Sequence, residues 1–194
     1  MGNRVIRKRL KEGFTLVELM IVVAIVGVLA VLAVYGVRKY IANAKTAEAK
    51  NSLGQIGKDA QTAFEGETMA PAVLVVNTST AVLRAMCGPA GSPVPAAAPV
   101  GKKYQSQKTD WGNAADLSNH AGFPCLKFEL NAPQYYAYNY TATGTYSANG
   151  NEFSAIAEGD LNGDGTKSTF TASGKIQENR LTVSPSIAEI DPDE

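Results

Sequence analysis

The chain has 194 residues, 45% of them hydrophobic, and its 18 basic residues balance its 18 acidic ones to a formal charge of zero. That length holds one domain with a proper core and leaves a second independent domain cramped. The even charge excludes a chain whose whole surface is built to oppose nucleic-acid phosphate.

The even total hides an asymmetry. Residues 1–13 carry Arg4, Arg7, Lys8, Arg9 and Lys11 against Glu12 alone. From Phe14 to Val37 the sequence then runs FTLVELMIVVAIVGVLAVLAVYGV, with Glu18 as its one charge. As a helix this stretch is about 36 Å long, enough to cross a bilayer. A basic run before an apolar run marks a membrane-targeting segment with its basic end on the cytoplasmic side, although Arg38, Lys39, Lys45 and Lys50 beyond the span blunt that bias. Two plainer readings stand beside it. One is a secretory signal peptide cut after Val31-Leu32-Ala33, and the other is a simple membrane anchor.

Beyond the span, Ala42, Ala49, Leu53, Ile56, Ala60 and Ala63 recur at steps suited to one helix face, among Lys45, Glu48, Lys50, Lys58 and Asp59. The spacing predicts one continuous helix over about 14–65, stopped by Gly66 and Pro71. Residues 67–110 read as irregular, and GPAGSPVPAAAPVGKK at 88–103 as an exposed loop with polyproline character. From 124 to 183 the segments CLKFEL, QYYAYNYTATGTY, NEFSAIAEG, KSTFTASGKI and RLTVSPS predict an antiparallel sheet of four or five strands. The acidic tail IAEIDPDE reads as frayed. The fold class is therefore α+β, a long N-terminal helix packed on a C-terminal antiparallel sheet. Its parts are a leader at 1–13, a membrane or assembly half-helix at 14–37, an amphipathic half-helix at 38–66, a connecting region at 67–123, and sheet plus tail at 124–194.

Glu18 is the anomaly. An ionised carboxylate in hydrocarbon costs about 2.5–3.5 kcal/mol even on lenient insertion scales, so it calls for compensation. If the chain is cut after Gly13, the new amine of Phe14 lies one helical turn from Glu18. In a bundle of such helices, the amine of one copy can neutralise Glu18 of the next. Such pairing adds little stability after desolvation but fixes axial register, because any offset leaves charges unpaired. A signal peptide or plain anchor gives no reason for this carboxylate.

The stretch Gly13-Phe14-Thr15-Leu16-Val17-Glu18-Leu19-Met20-Ile21-Val22-Val23 closely resembles the class III leader junction of type IV prepilins. The resemblance is strong over about the first 50 residues and extends to the rest only in layout. It implies cleavage after Gly13 by a membrane-embedded prepilin peptidase, N-methylation of Phe14, and pairing of Glu18 with a neighbour's amine. It also implies a precursor in the bacterial inner membrane with its N-terminus cytoplasmic, contact with lipid and with the pilus assembly machinery, and a helical homo-oligomeric filament outside the cell. Adhesion, motility or DNA uptake would follow, depending on the system. Two features depart from the pattern. Tyr35-Gly36 stands where many members carry a kinking proline, and Cys125 lies far from the C-terminus, so a disulfide-bounded receptor loop is not carried over. A type II secretion pseudopilin shares the helix and is the alternative; an unrelated membrane-anchored or secreted binding protein is the third.

Cys87 and Cys125 both follow the apolar run, and in an oxidising compartment they can close a disulfide tying the connecting region to the first strand; two buried free thiols are the competing reading. No cofactor is required, and calcium is the one candidate ligand. Asp160, Asn162, Asp164 and the Thr166 carbonyl have the alternate oxygen spacing of the opening of an EF-hand loop, but Thr171 stands where the bidentate glutamate belongs. An Asx-rich turn capping its own backbone explains the same residues. Tyr136, Tyr138 and Tyr140 alternate along one strand face, with Tyr135 opposite and Tyr146 nearby, which favours core packing over ligand stacking. Asn77-Thr78-Ser79 and Asn139-Tyr140-Thr141 read as turn or strand residues, not as glycosylation acceptors. His120 is the single histidine, and neither a catalytic pairing nor a histidine–cysteine metal cluster can be assembled from the sequence, so an enzyme is not expected.

Overall fold

A computed structural model describes residues 13–66, 68–69, 76–77, 82–144 and 147–192. The chain forms two compact units, residues 1–40 and 41–194. One α-helix, α1 (Leu16–Glu65), runs through both without interruption at Tyr35-Gly36. Its end follows the expected signal: the Gly66 N–H donates to the Thr62 carbonyl at 3.0 Å and the helix stops. Pro71 lies outside the described residues.

In the second unit, Thr46, Ala49, Ser52, Leu53, Ile56, Gly57, Ala60 and Phe64 are the buried residues of α1. Their three- and four-residue steps make one helical stripe, and most are small, so the helix backbone can lie close to whatever it covers. It covers a five-stranded antiparallel sheet made of β3 (Ala137–Ala142), β4 (Glu152–Gly159), β5 (Ser168–Gln177), β6 (Arg180–Val183) and β7 (Ala188–Ile190). The order is β3-β4-β5-β6, and β7 also pairs with β5. Two further strands of two residues each, β1 (Thr68–Met69) and β2 (Val82–Leu83), pair with one another and with no other strand among the described residues.

Burial alternates along β4 and β5, as the period-2 geometry of a one-sided sheet requires. Most inward positions are either large aromatics or very small, with Ile176 and Leu181 as aliphatic exceptions. Tyr136, Tyr138, Tyr140, Phe153 and Phe170 are almost fully buried, beside Ala155, Ala157, Ala172 and Gly174. A Cβ at Gly174 would collide with the Phe153 ring, so that ring dictates glycine there. The tyrosines are core residues, as expected; burying a large apolar side chain is worth about 1.5–3 kcal/mol. Tyr146 lies outside the described residues. Asn139-Tyr140-Thr141 is strand, and Asn77 is in a turn while Thr78 and Ser79 lie outside the described residues.

Polar contacts join the same helix to the sheet region. Glu48 accepts the Tyr135 N–H at 2.8 Å, the Gln61 side-chain amide donates to the Leu181 carbonyl at 3.2 Å, and Lys50 pairs with Glu189 at 2.8 Å. Lys45 and Lys103 both sit over the Tyr135 ring, 4.8 and 4.6 Å from its centroid.

The structure corrects three sequence expectations. CLKFEL is not the first strand: Gly122–Leu126 is a short helix, α4, and Cys125 lies in it. Pro124 suits the first turn of a helix, where its missing N–H costs nothing. Residues 126–130 keep the inward–outward alternation, with Leu126 and Phe128 buried, but the extended part pairs with no strand among the described residues. The start of the acidic tail is not frayed, since Ala188–Ile190 forms β7 against Thr169–Thr171. The proline-rich stretch is irregular but not simply exposed. Val94 is buried and exchanges both backbone hydrogen bonds with Tyr138, at 2.8 and 2.9 Å. Its flanks, Pro93 and Pro95, have no N–H to offer, so a single residue seals this part of the open edge of β3. Two more short helices, α2 (Lys108–Trp111) and α3 (Ala114–Ser118), complete the connecting region. There Trp111 packs edge-on against Phe123 and Phe128, with centroids 4.8 and 5.4 Å apart.

Candidate assembly site

The head of α1 is built from its own sequence. Thr15 stands just before the helix and Glu18 is the third residue within it. The Thr15 hydroxyl oxygen accepts the Glu18 N–H at 3.2 Å, and the Glu18 carboxylate accepts the Thr15 N–H at 3.5 Å. These are the two reciprocal bonds of a capping box, and they satisfy donors that a helix start otherwise leaves unpaired. The carboxylate also sits at the positive end of the helix dipole. Glu18 is therefore engaged within a single chain, before any second copy arrives. The Thr-x-x-Glu spacing was present in the sequence and signals this cap; the charge argument alone passes over it.

Behind that head, the first unit hides almost nothing. From Phe14 to Tyr40 every large apolar side chain is exposed, between 53% at Val22 and 85% at Phe14. The segment is long and apolar enough to cross a membrane, and its apolar window has no buried residue. A contiguous apolar surface of this extent does not stay in water; it calls for lipid or for other copies.

In the second unit, Cys87 and Cys125 form a disulfide with Cα atoms 5.7 Å apart, closing 38 residues and leaving no free cysteine. Cys87 is fully buried, while Cys125 is partly exposed. The bridge joins the connecting region to α4, not to a strand. The fold also places His120 beside it, with Nδ1 3.3 Å from the Cys125 sulfur, so a histidine–cysteine cluster exists that the sequence did not reveal. Four residues, three of them in α4, separate His120 from Cys125, and no periodicity signals their approach.

The loop after β4 closes on itself. Buried Asp160 accepts the N–H groups of Gly163 at 2.6 Å and Gly165 at 3.0 Å, one on each carboxylate oxygen. Asn162 accepts from the Asp164 N–H at 2.9 Å, and Asp164 accepts from the Thr166 N–H at 2.7 Å. Asp160, Asn162, Asp164 and Thr166 are thus brought into one turn in which the side chains cap their own backbone.

Comparisons with known proteins agree with this construction. Residues 8–34 match the prokaryotic N-terminal methylation motif. Type IV major fimbrial proteins FimA of Dichelobacter nodosus are 41% and 37% identical to the chain over 71 residues, which is 31% of this chain and 46% and 44% of those proteins. The chain therefore spans less than half the length of the curated relatives it matches. No solved structure matches it. A methylation motif at its head, a stretch of 71 residues similar to type IV major fimbrial proteins, and a long helix leading into an antiparallel sheet make the chain similar to the type IV pilins.

Proposed function

We propose that the chain is a structural subunit of a type IV pilus, stored in the inner membrane and assembled into a filament through α1. The observation that carries this is the exposed apolar surface from Phe14 to Val37, with Glu18 near its head as its one charge. Lipid covers that surface before assembly, and the same stripes of neighbouring copies cover it afterwards. A prepilin peptidase cuts after Gly13, Phe14 is N-methylated, and the basic leader holds the N-terminus in the cytoplasm. A cut there leaves the Thr15 N–H in place, so the cap survives processing. In the filament, Glu18 then takes the amine of an adjacent Phe14 as its counter-charge, which sets register while apolar packing supplies adhesion. The reading is of a scaffold protein, not an enzyme.

Mass measurement of the native protein tests this directly. The expected mass is that of residues 14–194, one methyl heavier and two hydrogens lighter for the disulfide. A chain starting at Val34 would mark ordinary secretion instead and overturn the reading.

A type II secretion pseudopilin is the second reading, and the loop at 160–166 is the feature that favours it. We further propose that this loop takes calcium through Asp160, Asn162, Asp164 and the Thr166 carbonyl. Surface filaments bearing the chain support the pilus; a chain confined to short periplasmic filaments supports the pseudopilus.

A further inference from the structure

Cys87, Cys125 and His120 offer two sulfurs and an imidazole nitrogen, all within 4.8 Å of one another. We propose that, once its disulfide is opened, the chain holds one zinc ion or a similar thiophilic divalent cation at these three residues. Tetrahedral zinc, with bonds of about 2.3 Å to sulfur and about 2.0–2.1 Å to nitrogen, places a sulfur and a nitrogen ligand roughly 3.5 Å apart. Cys125 Sγ already lies 3.3 Å from Nδ1 and 3.7 Å from Nε2 of His120. With the Cα atoms 5.7 Å apart, side-chain rotation alone brings the two sulfurs to the roughly 3.8 Å that the same geometry requires.

The disulfide is not what brings these residues together. Gly88 donates to the His120 carbonyl at 3.1 Å, and Gly122 donates to the Gly88 carbonyl at 2.9 Å. Gly91 adds a bond to the buried Asp116 carboxylate at 3.1 Å. These hydrogen bonds join the segment after Cys87 to the segment carrying His120 and Cys125, so the three ligands stay in place when the S–S bond is cut. His120 itself is in the left-handed region, with φ 53°, an uncommon conformation for a residue that is not glycine. A cavity of about 280 Å³ lined by Asp59, Thr62, His120, Cys125 and Lys127 adjoins the cluster. It offers a path for the ion and room for a water as fourth ligand. The site belongs to the chain before the disulfide closes, or after a reductant opens it.

The chemistry balances with a dithiol as reductant. Two electrons and two protons pass from the dithiol to the protein disulfide, giving two cysteine thiols and one oxidised reductant. Zinc then binds the two thiolates and displaces both protons.

The test uses the full chain in detergent, with cobalt(II) as a coloured probe for zinc. Reduced wild type is expected to take up one equivalent, with the intense visible bands of tetrahedral coordination and thiolate charge-transfer absorption, and zinc should bleach both. The oxidised chain should show neither. Reduced His120→Ala should bind at least tenfold more weakly, and Cys87→Ser/Cys125→Ser should not bind. Because the reduced wild type is itself the sample, no variant has to fold for the result to count. Absence of tetrahedral cobalt in the reduced chain overturns the proposal, whether or not its circular dichroism is retained; so does a His120→Ala variant that binds as tightly as wild type.

Discussion

Thr15 and Glu18 cap one another at the head of α1, the hydroxyl holding one backbone N–H at 3.2 Å and the carboxylate the other at 3.5 Å. This gives the carboxylate two successive roles. In the single chain it completes the helix start; in the proposed filament it meets a neighbour's amine. The two roles call for different residues, because only the cap needs Thr15.

That difference yields the first prediction. Thr15→Ala should cost about 1 kcal/mol of helix-end stability yet leave filaments intact, because the carboxylate remains. Glu18→Ala should leave the second unit folded and abolish incorporation into filaments. Both are checked by counting filaments by electron microscopy and by measuring the chain in the sheared surface fraction. Normal filaments from Glu18→Ala would reject the pairing.

Removing the disulfide should destabilise the second unit. Closing 38 residues restricts the unfolded chain by about 4 kcal/mol on the loop-entropy account. Cys87→Ser/Cys125→Ser should therefore melt well below the oxidised wild type, by differential scanning calorimetry in the absence of added metal. An unchanged midpoint would show that the backbone bonds between Gly88 and the 120–122 segment suffice by themselves.

Calcium should raise the melting temperature of the wild type and not that of Asp164→Ala. Asp160→Asn should destabilise with or without calcium, by about 1–3 kcal/mol, because an amide nitrogen cannot accept one of the two N–H groups that the carboxylate now holds. Equal midpoints for wild type in calcium and in chelator would remove the ion and leave the self-capped turn.

Tyr140 gives a pH prediction. Its hydroxyl is buried with no hydrogen-bond partner among the described residues, and burial pushes its pKa up from an ordinary value of 10.0. Because the folded value is raised, the unfolded chain releases this proton first as pH climbs. Stability is therefore retained below about pH 10 and falls above it. Tyr140→Phe should be neutral or stabilising at pH 7, because an unsatisfied buried hydroxyl costs about 1–3 kcal/mol. The same variant should lose less stability than wild type in the alkaline range, as read from urea midpoints between pH 9 and 11.

The sequence by itself determined the elements whose cause is local. The helix from Leu16 to Glu65 follows from an apolar run continued by a helical stripe at Ala49, Leu53, Ile56 and Ala60. The head motif from Gly13 to Glu18 is a string of neighbours, and the alternating tyrosines declared their buried face. Tertiary structure decided whatever needed a distant partner. Residues 126–130 alternate like a strand, yet pair with none among the described residues, whereas the start of the acidic tail found Thr169–Thr171 and became one. Val94 looked like loop until it met Tyr138, and Cys87 reached His120 and Cys125 only across backbone bonds between two separate segments. Periodicity records which side of an element turns inward; it does not record which hydrogen-bonding edge is vacant, and that is settled only when the chain closes on itself.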